Sequence, residues 1–121
     1  MSNPDQAELT RVVTLYFDGA AKGDAALLDE AFHESAHWFA YMHDTVYAVD
    51  KPGFIELMVG QPGNTGNLVS EIVSIEQTGN AAIATVTDKG FWGDMDFTDY
   101  FQLVKFDGTW KIVSKAFHLN Q

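Results

Sequence analysis

The sharpest chemical pattern in the chain is His33-Glu34-Ser35-Ala36-His37, which fits the zinc-protease spacing His-Glu-x-x-His. On a helix, that spacing sets two imidazoles on one face and leaves the glutamate to act on a metal-bound water. Glu56, nineteen residues beyond His37, could serve as a third ligand. The surroundings point elsewhere. The preceding helical pattern ends near Phe32 and Trp38-Phe39-Ala40-Tyr41 reads as extended, so the expectation is a helix-to-strand turn with exposed histidines and no metal. His43, in a turn, and His118, near the end of the last strand, have no identifiable metal partner. Asp88, Asp94 and Asp96 fall near a hairpin tip and read as a solvated edge before a calcium site. The segment Gly60 to Gly66 holds three glycines, but no Lys-Ser/Thr pair follows and the next element is a strand. It is a turn-rich connection, not a phosphate cradle. With no cysteine and no Gly-x-Ser-x-Gly elbow, thiolate chemistry is excluded and nucleophilic hydrolysis has no support. No cofactor is expected.

A quieter group is Asp99 and Lys115. Asp99 shares a strand face with Phe101, and Lys115 shares the next strand's face with Phe117. Facing inward, a carboxylate and an ammonium among aromatic rings could orient a small polar ligand, with Tyr16 donating a hydrogen bond. The alternative is a cross-strand ion pair between Asp99 and Lys115, with Tyr16 a core residue whose hydroxyl is satisfied. Trp38, Phe54 and Met58 are pocket wall or core, two roles that sequence does not separate.

These residues need elements to position them. Asn3-Pro4-Asp5-Gln6 reads as a helix start, with Asn3 as cap, Pro4 at the first helical position and Gln6 reaching back. Leu9, Val12, Val13, Tyr16, Phe17 and Ala20 follow at spacings of three and four, which line one helical face. Gly23 ends this helix, and Asp24 caps a short second one carrying Leu27, Leu28, Ala31 and Phe32. Two short strands, Ala36 to Met42 and Val46 to Val49, turn at His43-Asp44. Asp50-Lys51-Pro52-Gly53 opens a third helix, Phe54 to Val59. Thereafter the pattern is extended: Leu68 to Gln77, Ala81 to Thr87, Phe97 to Phe106 and Trp110 to Leu119, joined by turns as an antiparallel meander. In Tyr100 to Phe106 both parities are apolar, so one face covers the helices and the other is expected to meet a second subunit as a homodimer.

Composition bounds the partners. The 121 residues suffice for one domain, and 46% apolar residues can build a core. A net charge of −10 with only seven Lys and Arg argues against nucleic acid and against an anionic membrane surface. The first residues lack the basic start and apolar run of a secretion signal, and no stretch approaches the roughly 18 apolar residues of a membrane span. A cytoplasmic location is the resulting expectation.

The order of elements resembles the nuclear-transport-factor-2-like (NTF2-like) superfamily, and most closely its bacterial group labelled "putative lumazine-binding". The residues carrying the likeness are Gly23-Asp24, Ala31-Phe32-His33, Phe97 to Phe101, Leu103 to Lys105 and the run Asp107 to His118. The resemblance implies an α+β, cone-shaped (cystatin-like) fold with three helices packed on a curved antiparallel sheet, an internal pocket, and dimers through the outer sheet. It does not imply one activity, since relatives include ketosteroid isomerase, polyketide cyclases, dehydratases and proteins that only bind.

Ketosteroid isomerase uses a carboxylate base, with a tyrosine and a protonated aspartic acid holding an oxyanion. By resemblance, Tyr16 matches the tyrosine and Asp99 the acid, whereas the base position, eight residues past Phe32, is Ala40. Without a proton acceptor there, steroid isomerisation is not expected. The expectation is a domain that binds a small hydrophobic or aromatic molecule, with Tyr16, Trp38, Phe54, Met58, Asp99, Phe101 and Lys115 as its contacts. The alternatives are a small isomerase, cyclase or dehydratase using Asp99 and Tyr16, and a dimeric interaction module.

Overall fold

A computed structural model describes residues 4–120; the cap expected at Asn3 lies outside them. Helix α1 (Pro4–Lys22) buries Leu9, Val12, Val13, Tyr16 and Ala20, the stripe set by their spacing. Gly23 ends it at φ +69°, where a side chain would be strained, and the Asp24 N–H reaches back to the Gly19 carbonyl at 2.9 Å. The Asp24 carboxylate then accepts from the Ala26 and Leu27 N–H groups and starts α2 (Ala25–Ala31). Gly19 lets the two helices close up: a Cβ there would sit 2.7 Å from Leu28 Cγ.

Strand β1 (Phe32–Met42) runs directly out of α2. The expected helix-to-strand turn at His33–His37 is therefore corrected to a strand, whose pairing is irregular between Phe32 and His37. The burial of Ala36, Trp38 and Ala40 against the exposure of His37, Phe39 and Tyr41 shows the alternation that makes it one. His43 and Asp44, both at positive φ, turn the chain into β2 (Thr45–Asp50). Asp50 accepts from the Gly53 N–H at 2.9 Å and caps α3 (Lys51–Gly60), which buries Phe54 and Met58.

The meander is β3 (Asn64–Thr78), β4 (Ala81–Phe91), β5 (Met95–Phe106) and β6 (Thr109–Asn120). Strand β3 starts inside the stretch expected to be loop, and β4 runs past Thr87. In both places the pairing crosses an irregularity that hides the alternation, between Asn64 and Val69 and between Asp88 and Phe91. The sheet order is β2-β1-β6-β5-β4-β3, antiparallel except for the parallel pair β1 and β6. Phe101 and Leu103 face the helices while Tyr100 and Phe106 face out, so the two apolar parities serve different faces. No described helix is long and apolar enough to cross a membrane.

Candidate functional site

Residues paired across neighbouring strands stand side by side on one face. Three such rows cross the inner face of the sheet. The first runs Val49, Trp38, Lys115, Phe101, Ala84, Ile75. The second runs Tyr47, Ala40, Phe117, Asp99, Val86, Ile72. The third carries Leu119, Phe97, Asp88 and Ser70. Tyr16 descends from α1 onto the first two rows, its ring edge-on to Phe101 at 4.9 Å between centroids.

This brings the expected polar residues together in the core. The Lys115 ammonium donates to the Tyr16 hydroxyl at 2.8 Å and lies 3.8 Å from Asp99 Oδ1. The Tyr16 hydroxyl in turn donates to Asp99 Oδ2 over a long 3.4 Å. Four rings surround the ammonium, with centroids at 4.7 Å for Tyr16 and Phe117, 5.1 Å for Phe54 and 5.9 Å for Phe101. Both sequence alternatives are thus partly met: Tyr16 is hydrogen-bonded core, and Lys115 and Asp99 are an ion pair too long for a hydrogen bond.

Burial sets the electrostatics. Asp99 is 1% exposed, and its removal from water pushes the carboxyl well above the ordinary range; the Lys115 charge opposes this and the neighbouring Asp88 adds to it. Tyr16 is likewise raised well above its usual value, first by burial and then by the Asp99 and Asp88 charges, so its hydroxyl is a donor. Asp99 Oδ1 and Trp38 Nε1 are buried with no hydrogen-bond partner among the described residues.

Beside this network lies a cavity of about 260 Å³. Of the expected contacts, Tyr16, Trp38, Phe54, Met58 and Lys115 line it. Asp99 and Phe101 do not; they sit behind Tyr16 and Lys115. The wall also includes residues that the sequence reading did not place there, among them Asp88, Trp92, Phe97 and Phe117. Asp88 corrects an expectation: it is 2% exposed and not part of a solvated edge, and its carboxylate accepts from the Ser70 hydroxyl at 2.6 Å. The signal was the alternation Ala82, Ala84, Val86, Asp88, all buried on one parity. Asp94 is exposed, and half-buried Asp96 accepts from the Gly90 N–H at 3.0 Å.

The histidine pair has separate local roles. His33 Nδ1 accepts from the Ser35 N–H at 3.1 Å and its ring stacks on Phe106, while His37 bonds the Ser35 carbonyl at 2.8 Å. Among the described residues no three His, Cys, Asp or Glu side chains gather as a metal site.

The family model described as "putative lumazine-binding" matches residues 4–118. An NTF2-like protein of unknown function from Methylobacillus flagellatus is 31% identical, with a TM-score of 0.89 over 100% of this chain and 96% of that one. Another from Shewanella baltica is 25% identical, with a TM-score of 0.88 over 100% of this chain and 99% of that one. Among curated proteins, Aldolase FrzH from Cladobotryum sp. is 25% identical over 103 residues, 85% of this chain and 82% of that protein. The likeness spans the helices and the sheet, and the chain belongs to the "putative lumazine-binding" family of the NTF2-like superfamily.

Proposed function

We propose that the protein binds a small, mostly apolar molecule of one or two rings in this cavity, its polar end turned toward Lys115 and Tyr16. One observation carries the reading: among the described residues, an apolar cavity has a single ammonium on its wall, and that ammonium makes one hydrogen bond, to Tyr16. Two of its three donors have no acceptor among the described residues. A ligand oxygen would fill them. At about 260 Å³ the space lies just under the range of about 300–1,000 Å³ typical of drug-sized ligands, which limits the occupant's size. The ligand contacts are Tyr16, Trp38, Phe54, Met58 and Lys115, with Asp99 and Phe101 holding Tyr16 and Lys115 from behind.

The test is mass spectrometry of whatever co-purifies, together with titration by lumazine, a bicyclic compound with carbonyl acceptors. Trp38 and Trp92 line the cavity and Trp110 does not, so binding quenches part of the tryptophan emission. Lys115→Met should lower affinity by about tenfold, the loss of one charge-assisted hydrogen bond. Equal affinity in that variant for every bound probe rules the reading out.

The catalytic alternative draws support from the aldolase relative and from the Tyr16–Lys115–Asp99 network. In that reading Asp99 acts through Tyr16, and the carboxyl able to touch a substrate is Asp88. Ala40, at the isomerase base position, offers no acceptor. The interaction-module alternative requires a filled core, which the cavity disfavours. Pairing of two chains through the outer sheet is a separate proposal, compatible with either reading.

A further inference from the structure

We propose that Lys115 forms an imine with an aldehyde or ketone ligand; this rests on the binding reading and specifies the ligand's polar group as a carbonyl. Lys115 is the one primary amine on the cavity wall among the described residues. Imine formation requires three things of its surroundings. A base must take a proton from the ammonium, an acid must serve the carbonyl oxygen, and water must be scarce enough for the product to persist. All three are present within one hydrogen-bonded group.

Once ionised, which its burial delays to higher pH, Asp99 Oδ1, 3.8 Å from Lys115 Nζ, is the proton acceptor, and it is a buried oxygen with no hydrogen-bond partner among the described residues. The Tyr16 hydroxyl touches both the amine, at 2.8 Å, and the other Asp99 oxygen, at 3.4 Å. It is therefore the relay between them. The rings of Phe54 and Phe117 beside Nζ keep bulk water from the bond that forms.

The step balances without an outside reagent. Nζ gives one proton to Asp99, and its lone pair adds to the carbonyl carbon while the C=O π pair moves to oxygen. A second Nζ proton passes through the Tyr16 hydroxyl to that oxygen, giving the carbinolamine. Return of the Asp99 proton through Tyr16 releases the hydroxyl as water and leaves a protonated imine on Nζ. Ammonium plus carbonyl has become iminium plus water, with no net proton, oxidant or reductant.

The experiment uses the intact protein, 2-naphthaldehyde and 2-acetonaphthone as probes, sodium cyanoborohydride to trap the imine, and peptide mapping by mass spectrometry. The chain has six lysines, so five serve as internal controls. Lys115 should be alkylated at least about tenfold faster than any of them, and Tyr16→Phe should slow that labelling by a similar factor. The alcohol 2-naphthalenemethanol, which cannot form an imine, should compete, and its binding is followed by tryptophan quenching. Labelling of Lys115 no faster than of the surface lysines overturns the proposal. If the alcohol still binds in that case, the pocket reading stands and only the imine falls; if the alcohol does not bind, both fall.

Discussion

Asp99 sits where water cannot reach it, with a cation too far away for a full hydrogen bond, and its ionisation therefore works against the fold. Its carboxyl is raised in the folded state by burial first, so the folded chain holds a proton that the unfolded chain, with an ordinary value near 3.9, releases sooner. Wild-type stability consequently falls as pH rises from the unfolded value through the folded one, by up to about 1.4 kcal/mol per pH unit. Asparagine mimics the neutral acid and cannot ionise. Urea unfolding of Asp99→Asn across pH 4–8 should show the variant gaining on wild type as pH rises, then running parallel; a difference independent of pH counts against a raised Asp99. Strand parity grouped Asp99 with Phe101 and Lys115 with Phe117 in the sequence, but left open which face turns inward. Asp88 was missed, although the alternation Ala82, Ala84, Val86 leads to it, because β4 was expected to end at Thr87. The His-Glu-x-x-His pattern shows the converse: spacing carries chemistry only on the element that gives it a face, and on a strand His33 and His37 each bond locally to Ser35.

At the scale of elements, the site depends on how α1 and α3 are held over the sheet, since α1 supplies Tyr16 and α3 supplies Phe54 and Met58. Gly23 is the joint. Its φ of +69° disfavours any side chain, and a Cβ there would come within 2.7 Å of the Met58 carbonyl oxygen on α3. Left-handed strain of about 1–2 kcal/mol adds to that clash, whereas removal of the next residue's cap by Asp24→Ala costs about 1 kcal/mol and leaves α3 in place. Gly23→Ala should thus lower the urea midpoint further than Asp24→Ala, and of the two it alone should also weaken ligand binding, measured by tryptophan quenching. Equal binding in both variants would mean that α3 does not depend on Gly23. The three helices and the caps of α2 and α3 were legible because their signals are local: three-and-four spacing before Gly23, and Asp24 and Asp50 ahead of apolar runs. The parallel pairing of β1 with β6 was not. Its partners, such as Trp38 and Lys115, are far apart in sequence and no local pattern marks them; the family resemblance implied a curved antiparallel sheet and did not specify this parallel pair.

At the scale of the whole molecule, the outer face of the sheet carries exposed apolar side chains. Ala48, Phe39, Ala116, Tyr100, Thr85 and Ser74 form a row across it, with Phe39 and Tyr100, each about half exposed, on either side of the small Ala116. Tyr41, Val46, Val73 and Ile83 are exposed as well. So much apolar surface on one chain is a mark of association, and a second copy placing its aromatic residues over Ala116 would bury it. Charge opposes this pairing: each chain carries a net −10, so two chains repel at long range. The apolar contact is short-ranged and unscreened, whereas the repulsion is damped as the Debye length falls from about 30 Å at 0.01 M salt to about 8 Å at 0.15 M. Association should therefore tighten with salt, the reverse of a contact held by ion pairs. Tyr100→Glu would set a carboxylate against its own copy across such a pairing and should shift association toward monomer relative to the parent, while leaving the inward-facing Lys115 and Tyr16 untouched. Sedimentation equilibrium of both proteins at low and moderate salt decides the matter: a parent chain that stays monomeric at every concentration and salt level removes the dimer, and a dimer that loosens with salt assigns it to a different surface.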